Sequence, residues 1–222
     1  ILSSTDAQQW NSSSLISGDS DLRDGKFCIT PDNQLMVCGA EVIIEEGKRI
    51  HQSVVWLSKD GRSWSKKHKV GAFNFWLWRI TWHHQMAYSM AYHCGKEPMV
   101  SLFSSKDGMN FSILTDGAVK DGEPTEASLL FEKGVGYCLL RRDRAYGLLG
   151  TAHAPYTHWK WKDLGVLIGG PHFISIPGER FIAAVRLYDN KVRTSLCWLN
   201  PHTGEFKETL ELPSGGDTSY PG

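Results

Sequence analysis

The sequence predicts an all-β protein, a propeller built from four-stranded antiparallel blades. Its apolar runs are short, rich in Val, Ile, Leu and aromatic residues, and bounded by Gly, Pro, Asp or Asn, as β-strands are. Helical periodicity over ten or more residues is hard to find. A small polar turn recurs at intervals near fifty residues, the length of one four-stranded propeller blade.

The recurring turn reads SKDGRSW at 58–64, SKDGMNF at 105–111 and, more loosely, STDAQQW at 4–10. In such a turn the aspartate accepts hydrogen bonds from backbone N–H groups ahead of it, and the glycine adopts a left-handed conformation. Ala7 stands where glycine is expected, so we expect the first copy to use a different geometry. The segments HAPYTHWKW and NPHTGEF bridge the same strand positions in the last two blades.

The runs divide the chain into one partial propeller domain, residues 1–222, with about four complete blades. The predicted blades are 26–70, 78–115, 126–165 and 172–212, and residues 1–16 and 213–222 belong to flanking blades. In the first complete blade KFCITP is the inner strand, and WSKKHKV lies at the rim. An open ring exposes strand faces and edges, so we expect a bare flank or a packing partner there.

Composition excludes several classes of function. Lys plus Arg and Asp plus Glu both number 24, so no basic footprint indicates nucleic acid or an anionic membrane. No apolar run approaches the roughly 18 residues of a membrane helix. The five cysteines form no CxxC-type pair and are odd in number, which argues against a zinc site and a full disulfide framework. We expect no metal and no cofactor. The compartment stays open, a secreted or periplasmic location being one option.

The pattern S-x-D-G-x-x-W resembles the Asp-box of the sialidase superfamily, whose catalytic domain is a six-bladed propeller. A second set of residues is also similar to that family. Glu126 lies fifteen positions before Arg141, and Arg186 lies 34 positions before Tyr220. The order Glu, Arg, Arg, Tyr matches. In the family another arginine and an acid aspartate belong to the first blade, which is mostly absent from this chain.

The resemblance implies a glycoside hydrolase that acts on terminal sugars of glycans. Arg141 and Arg186 would clamp the sugar carboxylate, because a guanidinium matches a carboxylate in a bidentate way. Tyr220 would be the nucleophile, since a neutral phenol is not repelled by that carboxylate, and Glu126 would take its proton. Glu123 and Arg142 are alternatives, and strand alternation allows only one of the adjacent arginines to face the centre.

Further polar residues stand where loops or inner strands are expected to face the funnel. These candidates for substrate binding are Arg23, Asp24, Arg79, His172 and Asp217. Asp24 is either an acid or sugar-binding carboxylate or part of a self-stabilised turn. Its segment DLRDG is also similar to the R-D-P motif of five-bladed fructan and arabinan glycosidases, with Gly25 in place of Pro. Trp76, Trp78 and Trp82 are either core or a sugar-stacking platform.

Three functions remain in competition at this point. The first is a sialidase-like hydrolase with a glycan or small sugar as its partner. The second is a carbohydrate-binding propeller without catalysis, and the third is a protein-interaction propeller. A charged funnel in which Glu126, Arg141 and Arg186 converge would favour the first two, whereas apolar or small residues there would favour the third.

Overall fold

The computed structural model describes residues 1–178 and 180–215, and every regular element within them is a β-strand. The all-β prediction is confirmed. Four antiparallel sheets follow one another along the chain, and the innermost strands of neighbouring sheets contact each other. This arrangement is a β-propeller, as predicted. Among the described residues no helix is long and apolar enough to cross a membrane.

Nineteen strands lie within the described residues. A short pair, β1 (Leu2–Ser3) and β2 (Asn11–Ser12), precedes the complete blades. The first blade consists of β3 (Asp21–Ile29), β4 (Leu35–Glu45), β5 (Lys48–Ser58) and β6 (His68–Val70). The second consists of β7 (Phe75–Trp76), β8 (Thr81–His83), β9 (Met86–His93), β10 (Val100–Ser105) and β11 (Ser112–Val119).

The third blade consists of β12 (Pro124–Glu132), β13 (Val135–Arg142), β14 (Leu148–His153) and β15 (Lys160–Asp163). The fourth consists of β16 (Ile168–Ile176), β17 (Arg180–Leu187), β18 (Arg193–Leu199) and β19 (Phe206–Glu211). Strands pair in chain order within each blade. In the second blade β7 and β8 both pair with β9, so that together they fill the innermost position.

The innermost strand of each complete blade carries one extra residue near its start. In three blades, an advance of three residues along this strand corresponds to an advance of two residues along the partner strand. These bulges lie between Arg23 and Lys26, Pro124 and Ala127, and Gly169 and His172. In the second blade, the five-residue advance from Trp76 to Thr81 corresponds to an advance of four residues along β9. Since a β-bulge re-aims neighbouring side chains, all four inner strands redirect residues at the same point.

Apolar side chains between neighbouring sheets hold the blades in radial order. The core between the first and second blades contains Met36, Leu77 and Phe103. The core between the second and third contains Met90, Leu102 and Leu140, and the core between the third and fourth contains Leu139, Phe173 and Phe181. Each of these side chains is at most 2% exposed. Their burial is the dominant favourable term in packing sheet on sheet, and it fixes the inner strands relative to one another.

All three copies of the polar turn share the hydrogen bonds of their aspartate. In each copy a serine hydroxyl donates to the aspartate, whose Oδ1 also accepts two backbone N–H groups at 2.8–2.9 Å. Ala7 has a φ of 58°, close to the 69° of Gly61 and the 71° of Gly108. The expectation of a different geometry for the first copy was therefore wrong. The shared bonds hold Ala7 left-handed although that conformation costs roughly 1–2 kcal/mol.

The turns join the third and fourth strands of their blades, at the end of the sheet opposite the bulges. Ser58 pairs with Leu35, which pairs with Ile29 at the far end of β3. In the fourth blade an asparagine takes over the role of the aspartate. Asn200 Oδ1 accepts the backbone N–H groups of His202 at 2.9 Å and Thr203 at 3.1 Å. The turn is thus a hairpin device.

The outer faces of the first and fourth blades carry exposed apolar side chains. The largest exposed fractions on strands β3, β16 and β19 are those of Ile29, Ile174 and Leu210, at 61%, 51% and 53%. Ile1 and Ile16 cover part of the first face by packing near Val37 and Trp56. The predicted partner on the open flank stays a prediction.

Candidate functional site

Glu126 lies at the bulge of β12 and is only 6% exposed. Its Oε1 is 2.8 Å from Nη1 of Arg141 on β13. Its Oε2 accepts a 2.7 Å hydrogen bond from the backbone N–H of Gly170 on β16. Gly170 has a φ of 55°, which glycine adopts readily. The third and fourth blades therefore hold this carboxylate from two sides.

Of the two adjacent arginines, Arg141 is the one that reaches Glu126. Burial would lower the pKa of Arg141, but the carboxylates of Glu126 and Asp143 outweigh burial and raise it above its usual range. Arg142 is buried instead against Asp163, with 2.9 Å between Nη2 and Oδ2. Strand alternation thus gives the two neighbours different partners.

The alternative carboxylate, Glu123, lies apart from this ion pair. Its Oε1 is 2.9 Å from Nε of Arg144, and the side chains of Arg144 and Glu123 are 76% and 40% exposed. An exposed ion pair of this kind contributes little to stability. Glu126 is consequently the buried carboxylate at the start of β12.

Basic side chains from the other three blades lie around the same centre. Lys26 on β3 and Arg79, between β7 and β8, are each 5% exposed, and His172 on β16 is half-buried. Burial lowers the pKa of Arg79 to about 10. Burial and then the charge of Arg79 lower the pKa of Lys26, while Asp24 and Glu126 raise it. These effects place polar groups of the four blades close enough to influence one another's pKa.

His172 is neutral at physiological pH. Burial, followed by the charges of Arg79 and Lys26, lowers its pKa to about 4. Its Nδ1 is 2.9 Å from Oγ of Ser128, a fully buried serine on β12. In a neutral imidazole one ring nitrogen donates and the other accepts. This contact joins the third and fourth blades through Nδ1.

Arg186 and Tyr188 extend the charged centre along the fourth blade. Arg186 pairs with Gly169 across the sheet and is 6% exposed, and its Nη1 donates a 3.2 Å hydrogen bond to the phenol oxygen of Tyr188. Tyr188 also interacts electrostatically with Arg141. Arg141, Tyr188 and Leu167 are among the residues that line a pocket of about 170 Å³. The two arginines thus approach one tyrosine from neighbouring blades.

Asp24 and Arg23 have different surroundings although they are adjacent. Burial raises the pKa of Asp24, and the charges of Lys26 and Arg23 partly offset that rise. Asp24 sits at the bulge of β3 with a φ of 53°. Arg23 is exposed and pairs with Asp21 at 2.6 Å. The structure brings Asp24 near the charged centre through Lys26 and leaves Arg23 in solvent.

The remaining candidates differ in what the structure can say about them. Tyr220 and Asp217 lie outside the described residues, so their roles stay predictions. Trp76 and Trp78 are buried, and Lys26 Nζ lies 5.0 Å from the ring centre of Trp78. In the described part of the chain, no group of three or more His, Cys, Asp or Glu side chains could hold a metal ion.

Sequence reasoning missed Lys26, Ser128 and Tyr188. Lys26 sits in the run KFCITP, where it shares strand parity with Cys28, the side of β3 that is less exposed than Phe27 and Ile29. A charged residue on the less exposed side of a strand could have marked Lys26 as a site residue from the sequence. Tyr188 follows Arg186 by two residues and lies one residue beyond the end of β17.

Comparison with known proteins bears on the fold. No protein-family model and no curated protein sequence matches this chain. A protein of unknown function from Dyadobacter fermentans superposes with a TM-score of 0.80 at 13% identity, covering 99% of this chain and 74% of that one. The Hadza microbial sialidase Hz136 gives 0.71 at 17% identity, covering 97% of this chain and 52% of that one.

An endo-arabinase from Bacteroides thetaiotaomicron gives a TM-score of 0.63 at 12% identity, covering 92% of this chain and 85% of that one. At such identities the likeness establishes the propeller fold and nothing finer. The chain spans about half the length of the sialidase it resembles.

Proposed function

We propose that this chain forms part of a glycoside hydrolase that acts on a terminal sugar bearing a carboxylate. The observation that carries the proposal is the convergence of unlike polar groups at the four bulges. Glu126 is held by Arg141 and Gly170, and Lys26, Arg79 and His172 come from the three other blades. A few placed polar groups that fix the orientation of a small ligand suit a sugar better than a protein surface.

The cationic side chains favour an anionic ligand. Among the described residues Lys26, Arg79, Arg141 and Arg186 lie together with the carboxylates of Asp24, Glu126 and Asp143. His172 adds no charge at neutral pH. Cationic side chains attract a carboxylate, and arginine binds it through two parallel hydrogen bonds.

The sialidase-like chemistry follows as the finer part of the proposal. Glu126 takes the phenol proton of Tyr220, and the phenolate oxygen attacks the anomeric carbon. The bond to the leaving oxygen breaks, and that oxygen receives a proton from an acid. Asp24 is a candidate acid, because burial raises its pKa and so keeps it protonated to higher pH. Water then releases the sugar from Tyr220.

A second candidate is hydrolysis of a neutral sugar by two carboxylates, without Tyr220. Asp24 and Glu126 both interact with Lys26, and Asp24 has a raised pKa, as one member of an acid–base pair requires. The structural neighbours include an endo-arabinase as well as a sialidase. In this case Arg141 would orient Glu126 rather than bind substrate.

A panel of aryl glycosides tests both candidates on the full chain. The panel contains an α-sialoside, an α-L-arabinofuranoside and a β-D-xyloside, and binding of the free sugars is measured in parallel by calorimetry. Release from the sialoside that is lost in Tyr220→Phe supports the first candidate. Release from a neutral glycoside that is lost in Asp24→Asn but kept in Tyr220→Phe supports the second.

The same panel separates catalysis from binding. Binding of a sugar that requires Arg141, without release from any glycoside, would assign a carbohydrate-binding role. Absence of both binding and release would overturn the proposal. Glu97→Gln is the matched control for carboxylate changes, because Glu97 is exposed and lies outside the charged centre.

A further inference from the structure

Tyr188 occupies a space that the fourth blade keeps open for it. A Cβ atom on Gly169 would lie 2.3 Å from the Tyr188 phenol oxygen and 3.1 Å from its Cζ. Gly169 does not have a left-handed φ, so backbone conformation does not require glycine there. The reason for glycine is close approach. The phenol lies directly over β16, where any larger residue would displace it.

The Tyr188 phenol can donate one further hydrogen bond. Its oxygen accepts from Nη1 of Arg186 at 3.2 Å, so its own proton points elsewhere. Among the described residues no acceptor lies within hydrogen-bond distance of that proton. Tyr188 is half-buried, and it lines the pocket of about 170 Å³ together with Arg141. A half-buried hydroxyl at a pocket wall can donate to a ligand oxygen.

The two neighbouring arginines determine what that ligand oxygen is. Guanidinium groups donate and never accept, so Arg141 and Arg186 attract the same acceptor as the phenol does. Burial opposes the charge on Arg141, and Glu126, Asp143 and Tyr188 favour it. A carboxylate placed between the arginines would offer an oxygen to the Tyr188 hydroxyl.

We propose that Tyr188 is a ligand-contacting residue of the central site, which donates its phenolic proton to a carboxylate oxygen of the bound sugar. This inference rests on the proposed function. It adds a residue that selects the acidic form of the sugar over a neutral derivative. Gly169 is a positioning residue, because it acts through Tyr188.

Binding of N-acetylneuraminic acid and of its methyl ester to the full chain tests the inference. Tyr188→Phe removes one hydroxyl and keeps the ring, and we expect it to weaken binding of the acid about tenfold, the worth of one good hydrogen bond. Binding of the ester, which has no charged oxygen, should change far less. Tyr146→Phe is the matched control, because Tyr146 is exposed and its phenol has no partner among the described residues.

Gly169→Ala supplies an independent route to the same result. It keeps the hydroxyl but pushes it aside, so it should reproduce the loss for the acid. In the double variant with Tyr188→Phe, the two losses should not add. Equal binding of the acid by wild type and Tyr188→Phe would overturn the inference, as would equal losses for acid and ester.

Arg141→Met distinguishes failure of the inference from failure of the proposed function. If Arg141→Met abolishes acid binding while Tyr188→Phe leaves it intact, only the role of Tyr188 falls. A wild-type chain that binds neither sugar overturns both the inference and the acidic-sugar function on which it rests.

Discussion

The two ends of each blade use equivalent positions in opposite ways. At one end the polar turns repeat, and Asp6, Asp60 and Asp107 accept the same pair of backbone N–H groups. At the other end each inner strand has one extra residue relative to its partner, but the side chains at these bulges all differ. The bulges present Lys26 with Asp24, Arg79 with Trp78, Glu126, and His172.

This contrast shows that the residues that close the hairpins and the residues of the candidate site lie at opposite ends of the blades. The aspartate turn closes the hairpin in the first two complete blades and in the β1–β2 pair, because these hairpins have the same backbone groups to satisfy. A feature that must surround one ligand cannot repeat, because each blade meets a different part of that ligand. Unlike residues at equivalent bulges are therefore a stronger indication of a site than the turn motif is.

The largest expected effect compares a carboxylate at a bulge with an exposed one. Glu126→Gln should reduce sugar release at least about a hundredfold, the usual size of a lost acid or base. Glu97→Gln should leave release unchanged, since Glu97 is exposed and outside the centre. Initial rates on the glycoside panel measure both. A Glu126→Gln variant as active as Glu97→Gln would contradict the assignment of the site to the bulges.

A smaller effect, on stability alone, is expected at the turn end. Asp107→Ala removes the acceptor of two backbone N–H groups and of the Ser105 hydroxyl, and should cost about 1–3 kcal/mol of unfolding free energy. Sugar binding should not change. Lys106→Ala, in the same turn, is the control. Urea unfolding followed by fluorescence gives the difference, and a loss of binding without a loss of stability would reverse the assignment.

The pH dependence of stability sharpens the account of His172. Below pH 6.5 the unfolded chain protonates this imidazole, whereas the folded chain does so only near pH 4. Unfolding free energy therefore falls as pH drops through this window. His172→Gln should remove that part of the fall, on the order of 1 kcal/mol. The exposed His202→Gln should keep it, and identical pH curves for wild type and His172→Gln would contradict the buried, neutral imidazole.

The smallest expected effect concerns the first copy of the turn. Ala7→Gly relieves a left-handed alanine and should stabilise the chain by about 0.5–1 kcal/mol. Gly108→Ala should destabilise it, because a Cβ there would lie 2.7 Å from Met36 and 2.8 Å from Trp82. Denaturant midpoints report both changes. Stabilisation by Gly108→Ala would mean that the turns do not share one geometry.

The sequence predicted the parts of the fold that depend on local pattern. Strand alternation and turn residues predicted an all-β propeller with about four complete blades, because these signals act over a few residues. The hydrogen bonds around Asp60 followed from the turn motif. The first turn was mispredicted, since the intrinsic preference of Ala7 yielded to the bonds around it.

The bulges could not be predicted from the sequence, because a bulge is a property of two paired strands and has no residue signature of its own. The interrupted inner strand of the second blade shows this, since Trp76 and Thr81 pair with β9 on either side of Arg79. Glu126 and Arg141 were named from the family resemblance of their spacing, and the structure places their side chains 2.8 Å apart. Tyr188 was missed, because its role depends on the space above Gly169.

The most direct test is a crystal structure of the full chain with N-acetylneuraminic acid. The account predicts that the sugar lies at the four bulges, with its carboxylate within hydrogen-bond distance of Arg141 and Arg186. A sugar bound elsewhere on the chain, with Glu126 and Arg141 pointing away from it, would contradict the account.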